Sequence, residues 1–433
     1  MKKIAIIGCN SFLAKHLIEK VIGEYGLFLY GRTCQTSYLN KKEVVFIPFN
    51  YPETPLQLDN LLEYDTIIYT AAAGVQSDKN EPSLITYQIN FYLPLQIVDF
   101  LNKNNYPGKL ITFGSYFEIG DNDQIKAFDE TEIIYASGKV PNIYCDSKRL
   151  LSRYYSNRQF EINWFHLMVP SLYGPGENEN RLIPYIINGL KNNLVLKLSS
   201  GEQVRHYLYV SDLVDFISDI IESTITADLF NVVGDDQPIK IKNLVAMIYE
   251  MMGIKQPIID QVKTRDQHMA YLSIDSNKIK KIGWQPKFRL TEGLKQYLNN
   301  SISNKIKHIE RKKIEDSRGW FLKVINGFED GLPNYTGEVY LTNAFPGEAK
   351  GGHYHEKANE WFTLLEGECE LKLVDVVTGE KLSLELSSKT PNTIYVPHHI
   401  AHVFINQGSV NFTLMAYSDQ LYSPEDTIMF QDF

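Results

Sequence analysis

The sequence is short of cysteine, of clustered positive charge and of long apolar runs, and each shortage argues against a class of function. Its 433 residues include four cysteines, Cys9, Cys34, Cys145 and Cys369, scattered without the paired spacing of a disulfide framework or a zinc knuckle. Reduced thiols in a cytoplasmic protein are expected. The formal net charge is −9 and no dense Lys/Arg stripe occurs, which argues against nucleic acid as a partner, because phosphate binding needs a clustered basic face. The opening Met-Lys-Lys-Ile-Ala-Ile-Ile-Gly-Cys superficially resembles a lipoprotein signal, but its apolar run lasts only from Ile4 to Ile7, where such signals need about 7–15 residues. No other stretch is long enough to span a bilayer, so membrane insertion is not expected.

What is present divides in two. Through the first half, short β-branched or apolar runs (Ile4–Ile7, Leu27–Tyr30, Val44–Ile47, Thr66–Thr70, Leu110–Phe113, Trp164–Val169) alternate with helical patterns. That alternation predicts βαβ units and an α/β, doubly wound parallel sheet over residues 1–300. A linker is placed at 301–312, after a last helical pattern dissolves into Asn-Asn-Ser-Ile-Ser-Asn-Lys. From 313 to 433 short alternating segments (Gly337–Leu341, Trp361–Leu365, Cys369–Val374, Phe412–Ala416) predict antiparallel β, a sandwich or small barrel.

Gly8-Cys-Asn-Ser11-Phe-Leu-Ala14 follows the first strand and opens a helix, the context in which a glycine turn lets backbone approach a pyrophosphate. Gly8, Ser11, Phe12 and Leu13 are candidate dinucleotide contacts, although an ordinary strand-to-helix turn would read similarly. About twenty residues on, where an NAD-specific domain places a carboxylate, stands Arg32. An arginine there suits a 2′-phosphate and favours NADP(H).

Tyr144 and Lys148, at i and i+4, share a helix face. An ammonium beside a phenol favours the phenolate and brings its pKa toward the range of a proton donor or acceptor. Spacing alone proves little in a chain with 27 tyrosines, and Tyr38/Lys42 repeats it. Order and context raise the odds: Ser115 ends a predicted strand upstream, where its hydroxyl could share a substrate carbonyl oxygen with Tyr144.

Gly8–Ala14, Asp65-Thr-Ile-Ile-Tyr-Thr-Ala-Ala72, Asn90, Ser115 with Gly120, Tyr144-x-x-x-Lys148, Tyr173-Gly-Pro-Gly176, Arg205-His-Tyr-Leu-Tyr-Val-Ser-Asp212 and Ile282-Gly-Trp-Gln-Pro286 occur in the order seen in extended short-chain dehydrogenase/reductases that modify nucleotide sugars. The resemblance implies a Rossmann-type domain, cofactor contacts at Ala71, Ala72 and Asn90, and Arg205 and Arg265 reaching the nucleotide diphosphate, a role suited to guanidinium forks. The alternative for each arginine is a surface salt bridge. Two departures narrow the reading. Sugar 4,6-dehydratases of this family follow the Ser/Thr with Asp-Glu, whereas Tyr116-Phe117 cannot supply the acid and base of an elimination. The loop usually reading Arg-x-x-Asn-x-Tyr-Gly-Pro has Met168 and Ser171 for its Arg and Asn.

Half of the ten histidines fall between His353 and His402. The pattern is Gly347-x5-His353-x-His355-x4-Glu360-x6-Gly367, then Pro397-x-His399-x2-His402-x3-Asn406. Two histidines one residue apart on a strand point to the same face, and Glu360 and His402 would complete a three-His, one-carboxylate metal site. This spacing resembles the two cupin motifs, with His399 where the second usually has glycine, and implies an all-β double-stranded β-helix. The histidines could instead act metal-free as acid/base groups. Zinc is the first choice of divalent metal. His398 and His399 adjoin the site or belong to the surface.

Asp316-Ser-Arg-Gly-Trp and Lys350-Gly-Gly-His-Tyr-His resemble the sugar-nucleotide cupins, and the whole architecture is similar to the bifunctional capsular-polysaccharide reductase/epimerase family. That resemblance implies C3 epimerisation, or ketoisomerisation, of a 4-keto-6-deoxy sugar nucleotide in the cupin with His353 and His355 as catalytic residues. NADPH-dependent reduction of the 4-ketone by Ser115, Tyr144 and Lys148 would follow. The partner would be a nucleotide-activated deoxy sugar, the assembly a homodimer. The alternative is an NAD-dependent nucleotide-sugar 4-epimerase carrying a non-catalytic cupin for dimerisation or sugar binding.

Overall fold

The computed structural model describes residues 1–75, 81–192, 194–234, 238–254, 259–261, 269–300, 306–311, 313–316, 319–322 and 337–433. Two compact units divide at Lys295/Gln296.

In the first unit the apolar runs become a seven-stranded sheet. Its strands are β1 (Lys3–Ile7), β2 (Gly26–Gly31), β3 (Val44–Pro48), β4 (Thr66–Tyr69), β5 (Lys109–Ser115), β6 (Asn163–Val169) and Leu229–Asn231. The order places β4 beside β1, with β2 and β3 on one flank and β5, β6 and Leu229–Asn231 on the other, and every pairing is parallel. Side-chain alternation along β1 shows why the runs are continuous rather than alternating: both faces are covered. Ile4 and Ile6 pack with Leu13, Leu17, Phe216 and Ile220 on one face. Ala5 and Ile7 pack with Leu93, Ile97, Leu101 and Trp164 on the other. The chain reverses its winding direction between β1 and β4, so their carboxyl ends open a crevice where such sheets take ligands.

Asp212 explains two of the distant motifs together. It is 1 % exposed at the start of the helix Val210–Glu222 and accepts the backbone N–H groups of Lys287 at 2.8 Å and Phe288 at 3.3 Å. Trp284 packs against Phe216 of the same helix, ring centroids 5.1 Å apart. Arg205–Asp212 and Ile282–Pro286 therefore meet as a structural clamp.

The second unit is all-β. One antiparallel sheet runs in the order Lys307–Glu310, Asn392–Val396, Glu360–Glu366, Phe412–Ser418, Glu338–Ala344; the other runs Lys381–Ser387, Glu368–Asp375, Ile400–Ile405, Ala349–Tyr354, Ile428–Met429. Period-two alternation sends Phe362, Leu364, Phe412 and Leu414 from the first sheet, and Leu371, Leu373 and Phe404 from the second, into one core. Residues 307–310, inside the stretch read from the sequence as a linker, pair with 392–395 as an outer strand. Among the described residues no helix is long and apolar enough to cross a membrane.

Replacing Asp212 by Ala should strand two part-buried backbone donors and lower the unfolding free energy by about 1–3 kcal/mol. Urea titration of the purified variant measures this; an unchanged midpoint would show that solvent satisfies both donors.

Candidate functional site

Two sites emerge, one in each unit. The first begins with Gly8. Its φ is +97° and a Cβ there would lie 2.4 Å from the Ala71 nitrogen, so only glycine permits the close approach of the β1 and β4 ends. The Gly8 and Cys9 N–H groups both donate to the Tyr30 carbonyl, and the Ser11 hydroxyl caps the following helix by accepting the Ala14 N–H at 3.1 Å. Phe12 is partly buried and Leu13 lies in the core. Arg32 is exposed just after β2, its backbone N–H held by Asn10 Oδ1 at 3.0 Å. The backbone of Arg32 thus sits beside the turn that opens the helix Phe12–Val21, and a helix N-terminus with an arginine next to it fits a dinucleotide phosphate.

Ala71 donates its N–H to Ile7. The expected cofactor contact Asn90 is wholly buried. Its Oδ1 accepts the Ala73 N–H at 2.9 Å, and its Nδ2 donates to the Ala73 carbonyl at 2.8 Å and to Ser147 Oγ at 3.0 Å. Asn90 therefore ties the loop after β4, which carries Ala71 and Ala72, to the helix Ile143–Ser156. Its own strand of chain takes one π-helical turn, Gln88–Tyr92, a local irregularity common near functional sites.

Tyr144 and Lys148 share that helix, with Lys148 Nζ 5.9 Å from the Tyr144 ring centre and donating to the Phe113 carbonyl at 2.9 Å. Burial pulls the Lys148 ammonium down to about 8, against the pull of Glu118. The Tyr144 hydroxyl is pushed up rather than down, chiefly by burial, with Cys145 and Glu118 adding to it. Arg181 pulls the hydroxyl the other way, and burial outweighs it. Ser115 caps the turn Tyr116–Ile119, its Oγ accepting the Phe117 N–H at 3.3 Å, which leaves the hydroxyl proton for a further acceptor.

Behind the pair lies a polar cluster that sequence reading passed over. Glu118 is fully buried, and its Oε1 accepts the Ser115 N–H at 2.7 Å. Its place three residues after Ser115 is a capping-box spacing, a signal present in the sequence. His166 bridges Thr112 Oγ1 (2.7 Å) and Ser152 Oγ (2.9 Å), and burial depresses it to about 3, with Lys148 adding to the effect. Gly114 separates these side chains: a Cβ there would lie 2.2 Å from Met168 Sδ and 3.0 Å from both Glu118 Oε1 and His166 Nε2.

The residues at the unusual positions are spent on packing. Tyr116 is 0 % exposed with its hydroxyl 2.8 Å from Ser171 Oγ, and Phe117 stacks edge-on against it. Arg205 is buried and Nη1 donates to the carbonyls of Val204 and Met269, each at 2.8 Å. Arg265 lies outside the described residues.

The second site joins both β-sheets of the other unit. His353 and His402 face one another in register, with ring centres 4.9 Å apart. Ligand atoms of His353, His355 and Glu360 fall within 4.8 Å of one another, and Glu360 Oε2 lies 3.3 Å from both His355 Nε2 and His402 Nε2. Glu360 Oε2 and His355 Nε2 are buried without an aligned hydrogen-bond partner, the condition of a donor set shaped for a metal ion. A bulge between Gly351 and His353 turns the histidines inward, made possible by φ of +95° at Gly351 and +80° at Gly352.

Surrounding groups fix the cluster. His355 Nδ1 meets the Asp426 carbonyl oxygen at 2.9 Å, which aims Nε2 at Glu360. The Asp426 carboxylate accepts the N–H groups of Glu356, Lys357 and Ala358. Tyr340 donates its hydroxyl to Glu360 Oε1 at 3.0 Å. Burial would raise the Glu360 carboxyl, but His355, His402 and Tyr340 outweigh it and hold it low. Burial would lower His355, yet Glu360 and Asp426 raise it, whereas burial takes His402 down to about 4. His398 is exposed; His399 sits at φ +64°, which is why glycine suits that position. Asp426 and Tyr340 carry no motif by which a sequence reading finds them.

Gly8→Ala should cost about 1–3 kcal/mol of stability through its strained φ and the Ala71 contact, read as a lower urea midpoint. A midpoint within error of the parent would mean that β1 and β4 separate without penalty.

Each unit matches a known family. Residues 314–430 match the polysaccharide biosynthesis C-terminal domain. A CDP-abequose synthase of Salmonella typhimurium is 29 % identical over 306 residues, 68 % of this chain and 97 % of that protein. The fold resembles a UDP-glucose 4-epimerase of Thermotoga maritima with UDP-glucose (TM-score 0.58, 21 % identity, 69 % of this chain and 97 % of that one). It also resembles a dTDP-glucose 4,6-dehydratase of Bacillus anthracis in complex with NAD (TM-score 0.58, 18 % identity, 69 % and 96 %). Residues 4–232 match the NAD dependent epimerase/dehydratase family, and with its parallel sheet and Gly8 turn the chain belongs to that family.

Proposed function

We propose that the chain is a bifunctional nucleotide-sugar enzyme of surface-polysaccharide synthesis. In this reading the C-terminal unit is a cupin that epimerises C3, or ketoisomerises, a 4-keto-6-deoxy sugar nucleotide, and the N-terminal unit reduces the 4-ketone with NADPH. The observation that carries it is the pairing on one chain of two sites suited to the same ketone. One is a Tyr144–Lys148 pair whose neighbours Tyr116 and Phe117 are locked in packing; the other is the His353–His355–Glu360–His402 cluster. The domain division at about residue 300, a homodimeric state and cytoplasmic location belong to the same proposal.

A ketone at C4 acidifies the C3 hydrogen. His353 or His355 takes that proton, and its return to the opposite face inverts C3. Where those imidazoles instead hold a divalent ion together with Glu360 and His402, zinc first among metals, the ion would supply positive charge against the ketone oxygen and the ligating histidines would no longer serve as the base. In the N-terminal site the Ser115 hydroxyl holds the C4 oxygen and Tyr144 delivers its proton there. Lys148 stabilises the phenolate that remains. Gly8 and Arg32 would hold NADPH, which when bound would supply the hydride. Reduction removes the activating ketone, so the new configuration at C3 is locked. Arg32, rather than a carboxylate, favours the 2′-phosphate and weighs against the NAD-dependent 4-epimerase.

Incubation with a 4-keto-6-deoxy sugar nucleotide in deuterated water should give C3 exchange without NADPH and NADPH consumption when it is added. Tyr144→Phe should lower reduction by about 10²–10⁴-fold and spare exchange; His353→Ala/His355→Ala should do the reverse. Neither exchange nor NADPH oxidation with any such substrate would sink the proposal. Equilibrium dialysis against zinc should load wild type with one ion per chain and the double histidine variant with none; equal loading would remove the metal from the reading.

A further inference from the structure

One ionisable group beside Tyr144 and Lys148 has no part in the chemistry above. Glu118 is 0 % exposed; Oε1 accepts the Ser115 N–H, while Oε2 is buried with no hydrogen-bond partner. The groups facing it come from three elements. Its own turn and the end of β5 contribute the Ser115 amide; the helix Ile143–Ser156 contributes Tyr144, Cys145, Lys148, Arg149 and Ser152; β6 contributes His166 across Gly114.

Most of these are neutral or already engaged. Burial keeps the Cys145 thiol up near about 12 and His166 uncharged. Ser152 meets His166 and donates to the Lys148 carbonyl. Arg149 directs Nε and Nη2 at the backbone carbonyl of Glu118. Lys148 is the remaining cation, and its Nζ donates to an uncharged carbonyl, that of Phe113.

We propose that Glu118 is a positioning residue for the Tyr144–Lys148 pair: its buried carboxylate is the counter-charge that keeps Lys148 an ammonium behind Tyr144. The inference rests on reading that pair as the reductase centre. An ammonium excluded from water and hydrogen-bonded only to dipoles loses its proton readily; a buried carboxylate on the turn packed against the same helix opposes the loss. Burial lifts the Glu118 carboxyl to about 7, with the Ser152 hydroxyl, the Ser115 N–H, Lys148 and Arg149 pulling against it in that order, and burial lowers Lys148 to about 8 against the pull of Glu118.

Glu118→Gln keeps an oxygen for the Ser115 N–H and removes the charge. Two readouts separate this inference from the functional reading, both on the full chain. One is the pH profile of NADPH-dependent reduction of a 4-keto-6-deoxy sugar nucleotide. The other titrates Lys148 directly, by NMR of protein labelled at lysine ¹³Cε, with Lys148→Arg identifying the resonance, and needs no substrate. In Glu118→Gln the basic limb and the Lys148 midpoint should both fall by about one pH unit or more, a tenfold loss of proton affinity. Glu118→Asp should leave the midpoint within a few tenths of wild type. An unmoved Lys148 midpoint in folded Glu118→Gln overturns the proposal even if activity drops. A moved midpoint in a protein that never oxidises NADPH supports the counter-charge and overturns the reductase reading instead. If the glutamine variant does not fold, the aspartate variant decides: a midpoint a full unit lower overturns the proposal.

Discussion

A charge taken out of water must find its compensation inside the protein, and each of the two candidate sites is built around a carboxylate removed from solvent. Glu118 lies beneath the Tyr144 helix and Glu360 lies between two histidines; both are nearly or fully inaccessible. Desolvation of an isolated ion costs several kcal/mol even after relaxation. Such a residue persists only where the fold brings donors and cations to it. Around Glu118 these are the Ser115 amide and Lys148; around Glu360 they are Tyr340, His355 and His402. Much of the surrounding backbone is shaped by that requirement, including the capping turn after β5 and the glycine bulge before His353.

The two sites answer it differently. In the N-terminal unit the ionisable groups come from the turn after β5, the helix Ile143–Ser156 and β6, and the sheet serves to hold that helix against β5. In the C-terminal unit they come from three strands of two sheets, and the cluster exists only when the sheets face each other across a shared apolar core. Phe362 and Phe404 border His402 directly, so the packing that closes the core also excludes water from the imidazoles.

How far the sequence reveals this follows from the range of the forces involved. The parallel sheet was legible because buried strands must be apolar on both faces, as Ile4 to Ile7 shows. The histidine cluster was legible because its members keep a spacing that alternation on strands translates into one face. Asn90 was expected to contact a cofactor, and its amide proves to be a brace between the loop after β4 and the helix Ile143–Ser156, since a motif position does not record which partner a side chain finds. Tyr144 was expected to be acidified by its lysine neighbour; burial, a three-dimensional property, decides otherwise. Asp426 lies some 70 residues from the histidine it orients, and no local pattern marks it. Arg265 gave a sequence expectation on which the described residues are silent.

Gly114 joins several of these threads. The missing side chain is the space that Met168, Glu118 and His166 all occupy from different directions, so the position cannot vary alone. Any larger residue there needs a smaller one at 168 and a retreat of the buried acid or imidazole at the same time. Positions 114, 118, 166 and 168 therefore form one unit of substitution, and the methionine that stands in place of the usual arginine is a tenant of the same cavity. The end of β6 and the buried polar cluster are thereby obliged to vary together.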